Sequence, residues 1–243
     1  MRLTRVYVES PLAAGAPVEI GGRAANHIAR VLRLRAGDPL VLFDGRGGEY
    51  TARILTLRKD AVQAEVIEHV EIERESPLAI TLAQGVSRGD RMDLVVQKAT
   101  ELGVARIVPL LTERTVVRLD DAQCAKKVQH WQAIAVAACE QCGRNRVPEV
   151  ASPMRFGEFV ARSDPGTVRV LLSPEGTIRT NQLARPPGGV TLLIGPEGGL
   201  SDAEVSAALD AGFTAVCLGP RILRTETAAF AALTAIQHDF GDM

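Results

Sequence analysis

Three segments in the C-terminal part of the chain repeat one pattern: a short apolar strand, a small residue, a proline and a charged residue. They are residues 170–176, 192–199 and 216–221. Ligands of open parallel sheets bind at the carboxyl ends of strands, and glycines there let the backbone approach a ligand closely. One Gly-Pro pair is ordinary turn chemistry, but three copies so close together predict a shared pocket.

From residue 78 onward, predicted strands alternate with predicted helices. Strands are predicted at 79–83 and 106–110, and helices from Asp90 to the stop signal Gly103, over 121–141, and from Thr225 to the C-terminal end. Ser201 and Glu204 have the spacing of a capping box, and Gly212 closes that helix. Thr225 is expected to cap the terminal helix and Glu226 to favour its positive end. This alternation predicts an α/β domain with a parallel sheet.

The first 70 or so residues have a different pattern. Strands are predicted at 5–8, 39–43, 49–54 and 61–67, with turns between them and one helix at 24–34. The pattern is typical of a small β-barrel. The charged stretch 71–77 ends in proline and indicates a linker. We therefore expect a first domain over 1–72 and a second over 77–243.

Composition allows an RNA partner without requiring one. The formal net charge is −1, but arginines outnumber lysines 24 to 4. The guanidinium fork suits phosphates and base edges, although codon bias gives the same excess. No apolar run reaches the roughly 18 residues of a membrane span, and no signal peptide is evident. A cytoplasmic, soluble protein is expected.

Common cofactor and metal motifs are missing. The chain has neither G-x-x-x-x-G-K-[ST] nor a G-x-G-x-x-G after a strand. Prolines in the repeated loops lack an N–H group, so these loops are poor phosphate cradles, but they offer carbonyls and an apolar wall, as an adenosine needs. Cys139 and Cys142 have no partner pair for zinc, and we predict free thiols and no metal. Arg224 precedes a helix against the dipole, which hints at function.

Four strings give the chain a resemblance to a known family. They are residues 192–199 (LLIGPEGG), 218–228 (LGPRILRTETA), 98–103 (KATELG) and 139–148 (CEQCGRNRVP). In combination they resemble the RsmE family, the small-subunit (16S) ribosomal RNA uracil-N3 methyltransferases of the SPOUT superfamily. The resemblance covers essentially the whole chain. Cys142 stands where serine is usual and Thr4 where proline is common.

The resemblance implies a PUA-like barrel followed by an α/β domain whose residues 168–243, approximately, form a trefoil knot. It also implies a homodimer and the cofactor S-adenosylmethionine. The cofactor-binding residues it implies are Leu172, Ser173, Ile194, Gly195, Pro196, Glu197, Gly198, Gly199, Leu218, Gly219, Ile222, Leu223, Arg224, Thr225, Thr227 and Ala228.

For catalysis, Arg224 is the candidate that stabilises charge on the uracil oxygens. Glu226 and Glu140 are possible proton acceptors, with Glu197 ranked below them because its loop faces the cofactor. Candidate contacts to small-subunit ribosomal RNA, as free RNA or in the assembled subunit, are Arg2, Arg5, Arg23, His27, Arg30, Arg33, Arg46, Lys98, Arg114, Arg144 and Arg146.

Two other interpretations remain open. The chain could be a related SPOUT enzyme that methylates a ribose 2′-hydroxyl or another base position. The sequence by itself does not specify which atom is methylated. A ribosome assembly factor without catalysis would have a degraded pocket, whereas Gly195, Gly198, Gly199 and Gly219 are all present.

Overall fold

The computed structural model describes residues 3–58, 60–115, 120–162 and 166–243. They form two compact units. The first contains Met1–Glu75 together with Cys139–Val147, and the second contains Ser76–Ala138 together with Pro148–Met243. The predicted boundaries placed 139–147 in the second domain, whereas the structure packs this segment within the first unit.

The first unit is built on a five-stranded sheet. Its strands are β1 (Arg5–Tyr7), β2 (Pro17–Gly21), β3 (Pro39–Phe43), β4 (Glu49–Leu57) and β5 (Ala61–Val70). Their order is β1-β3-β4-β5-β2, with β1 parallel to β3 and the other pairs antiparallel. All four predicted strands are present. The sequence pattern missed β2, which starts with proline at the edge of the sheet, where no ladder donor is needed.

The predicted helix at 24–34 is much shorter in the structure. The α-helix α1 covers only Gly22–Asn26, and a wider π-helical turn follows over His27–Val31. Arg33 then takes a positive φ of 53°, which no helical residue has, and is the one such non-glycine among the described residues. The apolar spacing that predicted a helix comes from Ala25 and Ile28, which are buried in the core of this unit.

A network of arginines holds the segment 139–147 within the first unit. The Arg5 guanidinium pairs with Glu49 and donates to Oδ1 of Asn145 at 2.6 Å. The buried Arg144 side chain donates to Glu75 through Nη2 at 2.5 Å and through Nε at 3.1 Å. Arg5 and Arg144, which were predicted to contact RNA, are thus buried and paired inside the first unit, and their contact with RNA stays a prediction.

The second unit contains the predicted α/β alternation. Its helices are α2 (Arg91–Glu101), α3 (Asp121–Cys142, whose end belongs to the first unit), α4 (Phe156–Val160), α5 (Asp202–Asp210) and α6 (Thr225–Phe240). Its strands are β6 (Ile80–Gly85), β7 (Arg106–Leu111), β8 (Glu149–Val150), β9 (Met154–Arg155), β10 (Val168–Leu172), β11 (Val190–Ile194) and β12 (Thr214–Val216).

All strand pairs of this second sheet are parallel. The order is β12-β10-β11-β6-β7-β8, with β9 also paired to β7. Every residue of β11 is buried, as expected for a central parallel strand covered on both faces. The predicted parallel-sheet fold is confirmed, and the knot over approximately 168–243 stays a prediction.

The helix-capping predictions have mixed outcomes. The capping box is present: the Glu204 N–H donates to Oγ of Ser201 at 3.3 Å, and Oε2 of Glu204 accepts from the Ser201 N–H at 3.0 Å. Gly212 closes α5 with a φ of 84°. Asp90 occupies the N-cap position of α2 but makes no side-chain capping bond. The predicted cap Thr225 is wrong, since Arg224 is the N-cap residue and the Thr225 side chain bonds elsewhere.

Cys139 and Cys142 are free thiols on the last turns of α3. Cys139 is buried, and its Sγ lies 3.6 Å from the Arg146 carbonyl oxygen. The hydrogen bond with Cys142 and burial both raise the pKa of the Cys139 thiol. The protonated form is therefore favoured, and this thiol is a poor nucleophile.

We expect Arg144→Met to destabilise the protein by about 3 kcal/mol, because it leaves the Glu75 carboxylate without its buried partner. Arg146→Met is the matched control. The Arg146 side chain is 57% exposed and that of its partner Glu73 is 39% exposed, so the free energy of unfolding should fall by less than about 1 kcal/mol. Urea unfolding of both variants measures the difference. Equal losses would contradict the structural role given to Arg144.

Candidate functional site

Four parallel strands end at one edge of the second sheet, and the residues that follow them surround a cavity. In this sheet β10 pairs with β11 on one side and β12 on the other, while β6 pairs with the far side of β11. The loops after β10, β11 and β12 are the three repeated segments. They line one cavity of about 1000 Å³, so the repeated pattern did predict a shared pocket.

Most of the residues expected to bind a cofactor lie in the cavity wall. Every one of them except Thr227 lines it; Thr227 is exposed on α6. Of the catalytic candidates, Arg224, Glu226 and Glu197 line the cavity and Glu140 does not. The Glu140 carboxylate instead accepts a hydrogen bond from the Tyr7 N–H at 3.0 Å, within the first unit. This contact gives Glu140 a structural role.

Glycines let the cavity loops pack against their neighbours. A Cβ atom on Gly85, the last residue of β6, would lie 2.4 Å from the Pro196 nitrogen. A Cβ on Gly195 would lie 3.0 Å from the carbonyl carbon of Gly199. The sequence predicted that Gly195 leaves space for a ligand. In the structure, the missing Cβ instead leaves space for Gly199 of the same loop. Gly219 differs, because its φ of 144° requires glycine and the space beside it is open.

Thr225 connects the start of α6 to the second repeated loop. Its Oγ1 donates to the Gly195 carbonyl oxygen at 2.7 Å and accepts from Nε2 of the buried Gln84 at 2.9 Å. A hydroxyl placed this way holds the loop, the helix and the end of β6 together. Gln84 was missed by sequence reasoning because its neighbours are more than 100 residues away in the chain.

The charged residues of the cavity form a chain from α2 to α6. Oε1 of Glu197 accepts from Nη1 of Arg91 at 2.7 Å and from the Arg88 N–H at 2.8 Å. On the other side of Arg91, its Nε lies 4.0 Å from Oε2 of Glu226. Burial raises the pKa of Glu197, but the hydrogen bonds from Arg88 and Arg91 outweigh it, and the net pKa is lowered. Glu197 is thus held as a carboxylate.

Arg91 is the main site residue that the sequence did not reveal. It is the first residue of α2 and follows β6, whose position beside β11 brings it to the cavity. The sequence predicted β6 and α2 but did not show that β6 would pair with β11. The available signal was that Arg91 follows shortly after a predicted strand, where the ligand site of a parallel sheet is expected.

A second loop supports the far side of the cavity. Nη1 of Arg114 donates to the Gly198 carbonyl oxygen at 3.0 Å. Oε1 of the capping residue Glu204 accepts from the Glu113 N–H at 2.8 Å. Arg114, predicted to bind RNA, therefore lines the cavity and contacts the loop after β11.

The remaining RNA candidates fall into two groups. Lys98 pairs with Glu101 and Arg146 pairs with Glu73. The exposed ones, which make no ion pair within the described part of the chain, are Arg23, His27, Arg30, Arg33 and Arg46. Arg2 lies outside the described residues.

The described residues contain neither a candidate metal site nor a candidate membrane span. No group of three or more His, Cys, Asp or Glu residues there is arranged to hold a metal ion. No described helix is both long and apolar enough to cross a membrane.

Comparison with known proteins identifies the class. A family model described as the RNA methyltransferase domain matches residues 74–237, and one described as the RNA methyltransferase PUA domain matches residues 20–67. The fold and the cavity are thus those of an RNA methyltransferase with an N-terminal PUA-like domain.

Relatives of known name narrow the class further. The chain is 34% identical to ribosomal RNA small subunit methyltransferase E of Buchnera aphidicola, covering 100% of this chain and 98% of that protein. It is 37% identical to that of Bacillus subtilis, covering 90% and 89%. The crystal structure of ribosomal RNA small subunit methyltransferase E from Neisseria gonorrhoeae bound to S-adenosyl methionine is 39% identical, covers all of both chains and has a TM-score of 0.93. The chain belongs to the ribosomal RNA small subunit methyltransferase E family.

The lowered pKa of Glu197 predicts a pH-dependent contribution to stability. A carboxyl whose pKa in the folded state is below its ordinary 4.5 stabilises the fold above that value, and this contribution disappears as the pH falls through the lowered pKa. Glu197→Gln should therefore be less stable than the wild type at pH 7, and the two should converge in acid.

Thermal unfolding at pH 7 and at steps down to pH 3 measures this difference. The control is Glu65→Gln on β5, an exposed position for which the described structure records no ion pair. A gap between wild type and Glu197→Gln that stays constant with pH would contradict the prediction.

Proposed function

We propose that this protein transfers a methyl group from S-adenosylmethionine to N3 of a uridine in 16S ribosomal RNA. The observation that carries the proposal is a cavity built by the three repeated loops in a chain of this methyltransferase family. Arg224 and Glu226 line it on one side and the loop containing Glu197 on another. No other function has a specific observation in its favour.

The cavity suits the cofactor in size and in chemistry. Its volume of about 1000 Å³ is at the upper end of ligand sites, which leaves room for a target base beside the cofactor. Ile194, Leu218, Leu223 and Ala228 offer an apolar wall for an adenine ring. When bound, S-adenosylmethionine supplies an electrophilic methyl group on a positively charged sulfur, and a cavity with the carboxylates Glu197 and Glu226 favours that charge.

The protein's own part of the reaction is to take a proton and to stabilise charge. Uracil N3–H is a weak acid, so its loss at neutral pH needs a positioned acceptor. Glu226 is the acceptor that the geometry favours: it lines the cavity, and its Oε2 is buried without a hydrogen-bond partner in the described structure. The exposed Arg224 guanidinium lies at the same cavity and is suited to stabilise charge that develops on the uracil oxygens.

The first unit supplies a candidate RNA-docking surface. Arg23, His27 and Arg30 lie four and three residues apart along α1 and the turn after it, and all three are exposed. All three lie within eight consecutive positions of one short helical segment. Phosphate contacts of this kind position an RNA without reading its sequence. Arg33 and Arg46 extend the proposed surface.

The proposal includes a homodimer that acts in the cytoplasm, where ribosomal subunits are assembled. Sedimentation equilibrium tests the dimer directly. A monomer that is fully active would remove the dimer from the proposal and leave the reaction unchanged.

The decisive experiment is methyl transfer from labelled S-adenosylmethionine to small ribosomal subunits from a strain that lacks the enzyme. Reverse transcription then maps the product. An N3 methyl group blocks the pairing edge and should give one strong stop at a uridine. Label without a stop would favour 2′-O-methylation, and cofactor binding without transfer on either free RNA or subunits would contradict the proposal.

Gly85→Ala should weaken S-adenosylmethionine binding at least about tenfold, because its Cβ would displace the Pro196 backbone that forms the cavity wall. Gly157→Ala on α4 is the matched control, since a Cβ there meets nothing within 4 Å. Neither glycine has a positive φ, so neither substitution strains the backbone conformation. Calorimetric titration gives both affinities, and equal values would refute the proposed role of Gly85.

Arg30→Ala should weaken binding of a small-subunit RNA fragment and reduce the slope of log K against log salt by about one, as the loss of one phosphate contact does. Arg58→Ala, an exposed arginine just after β4, is the control. Filter binding from about 50 to 200 mM salt measures both slopes. An unchanged slope in Arg30→Ala would exclude this arginine from the docking surface.

A further inference from the structure

We infer that Glu197 is a positioning residue for the methyl transfer: by holding Arg91, it keeps this guanidinium 4.0 Å from Glu226 and prevents a direct hydrogen bond between them, so that Glu226 can accept the proton of the substrate base. The inference rests on the proposed function and gives Glu197 a role beyond lining the cavity.

One carboxylate oxygen of Glu197 is held by two hydrogen-bond donors. Its Oε1 accepts from Nη1 of Arg91 at 2.7 Å and from the Arg88 N–H at 2.8 Å. Both donors come from the segment between β6 and the first turn of α2. Charge-assisted hydrogen bonds of this length are the strong ones, so Arg91 is directed to Glu197.

Glu226 has the opposite environment. Its side chain is only 14% exposed, and its Oε2 lies 4.0 Å from Nε of Arg91, too far for a hydrogen bond. Among the described residues, this oxygen is buried without any donor. Because buried acceptors nearly always have a partner in folded proteins, such an oxygen calls for a donor that arrives with a ligand.

Arg91 could pair with either carboxylate. Its guanidinium presents five N–H donors in a rigid fork, and its side chain is 43% exposed and so has space to turn. A movement of about 1 Å would bring Nε within hydrogen-bond distance of Glu226. An ion pair stabilises the ionised form of a carboxylate and makes it a poorer proton acceptor. Glu197 therefore prevents a closer, hydrogen-bonded pairing that would make Glu226 a poorer proton acceptor.

The proton transfer balances with groups already named. The N3–H bond of the uracil breaks and the proton goes to the Glu226 carboxylate. The electron pair left on N3 forms the new bond to the methyl carbon, while the carbon–sulfur bond breaks and its pair stays on sulfur. Glu226 then returns the proton to water.

The test compares single-turnover methylation rates at saturating S-adenosylmethionine and unmodified small subunits. Glu197→Gln frees Arg91 to pair with Glu226, and the rate should fall at least about tenfold, which is within what a general base contributes. The double variant Arg91→Gln/Glu197→Gln removes the competing cation, and it should be at least about fivefold faster than Glu197→Gln. Glu197→Asp keeps a carboxylate for Arg91 and should retain more of the rate than Glu197→Gln.

A merely structural Glu197 gives a different result. If it only anchors its loop, the double variant loses both members of the anchor and is as slow as Glu197→Gln or slower, which overturns the inference. Calorimetric Kd values for S-adenosylmethionine separate loss of binding from loss of rate. Where Glu197→Gln does not fold, Arg91→Gln alone is the second test: it removes the cation from both carboxylates, so the inference expects a rate within about threefold of the wild type, and a loss of about tenfold with unchanged cofactor Kd would overturn it.

The variant Glu226→Gln separates this inference from the proposed function. If Glu226→Gln methylates at the wild-type rate, Glu226 is not the acceptor and the inference fails, while N3 methylation by the wild type still stands. If Glu226→Gln is slow and the double variant is rescued, the inference is supported. A wild-type protein that transfers no methyl group overturns the proposed function and the inference with it.

Discussion

The site depends on one pairing arrangement, in which β10 lies between β11 and β12 and β6 lies beyond β11. Because these strands are parallel, their carboxyl ends meet at one edge and the loops that follow them enclose a single cavity. Strand pairing also sets the orientation of side chains, since a slip of one residue turns each of them to the other face. The packing of Gly85 on Pro196 and the bond from Thr225 to Gly195 both require this alignment.

Within that frame, the charges of the cavity are distributed unequally. Arg91 is nearer to Glu197 than to Glu226, and the Arg88 N–H adds a second donor to Glu197. One carboxylate is therefore hydrogen-bonded to the guanidinium, and the other lies 4.0 Å from it without a hydrogen bond. Two residues of the same type at one cavity thus differ in chemistry because of their neighbours, which is a common way for active sites to separate roles.

The arginines of the first unit also differ from one another in their surroundings. Arg5 and Arg144 are buried and paired, and they hold the segment 139–147 in place. Arg23 and Arg30 are exposed, where phosphates could reach them. A string such as CEQCGRNRVP, which belongs to the family resemblance, thus has an internal structural role for at least part of its polar residues.

The sequence by itself determined the features that depend on near neighbours in the chain. The α/β alternation, the Ser201–Glu204 capping box and the three repeated loops could be predicted because periodicity, caps and turns are short-range patterns. Tertiary structure alone decided the burial of Arg5 and Arg144, the early end of the helix before Arg33, and the approach of Arg91 to Glu197. Arg5 and Asn145 are 140 positions apart, and Arg91 and Glu197 are 106 apart. Such contacts follow from which strands pair, and a single sequence does not encode that choice locally.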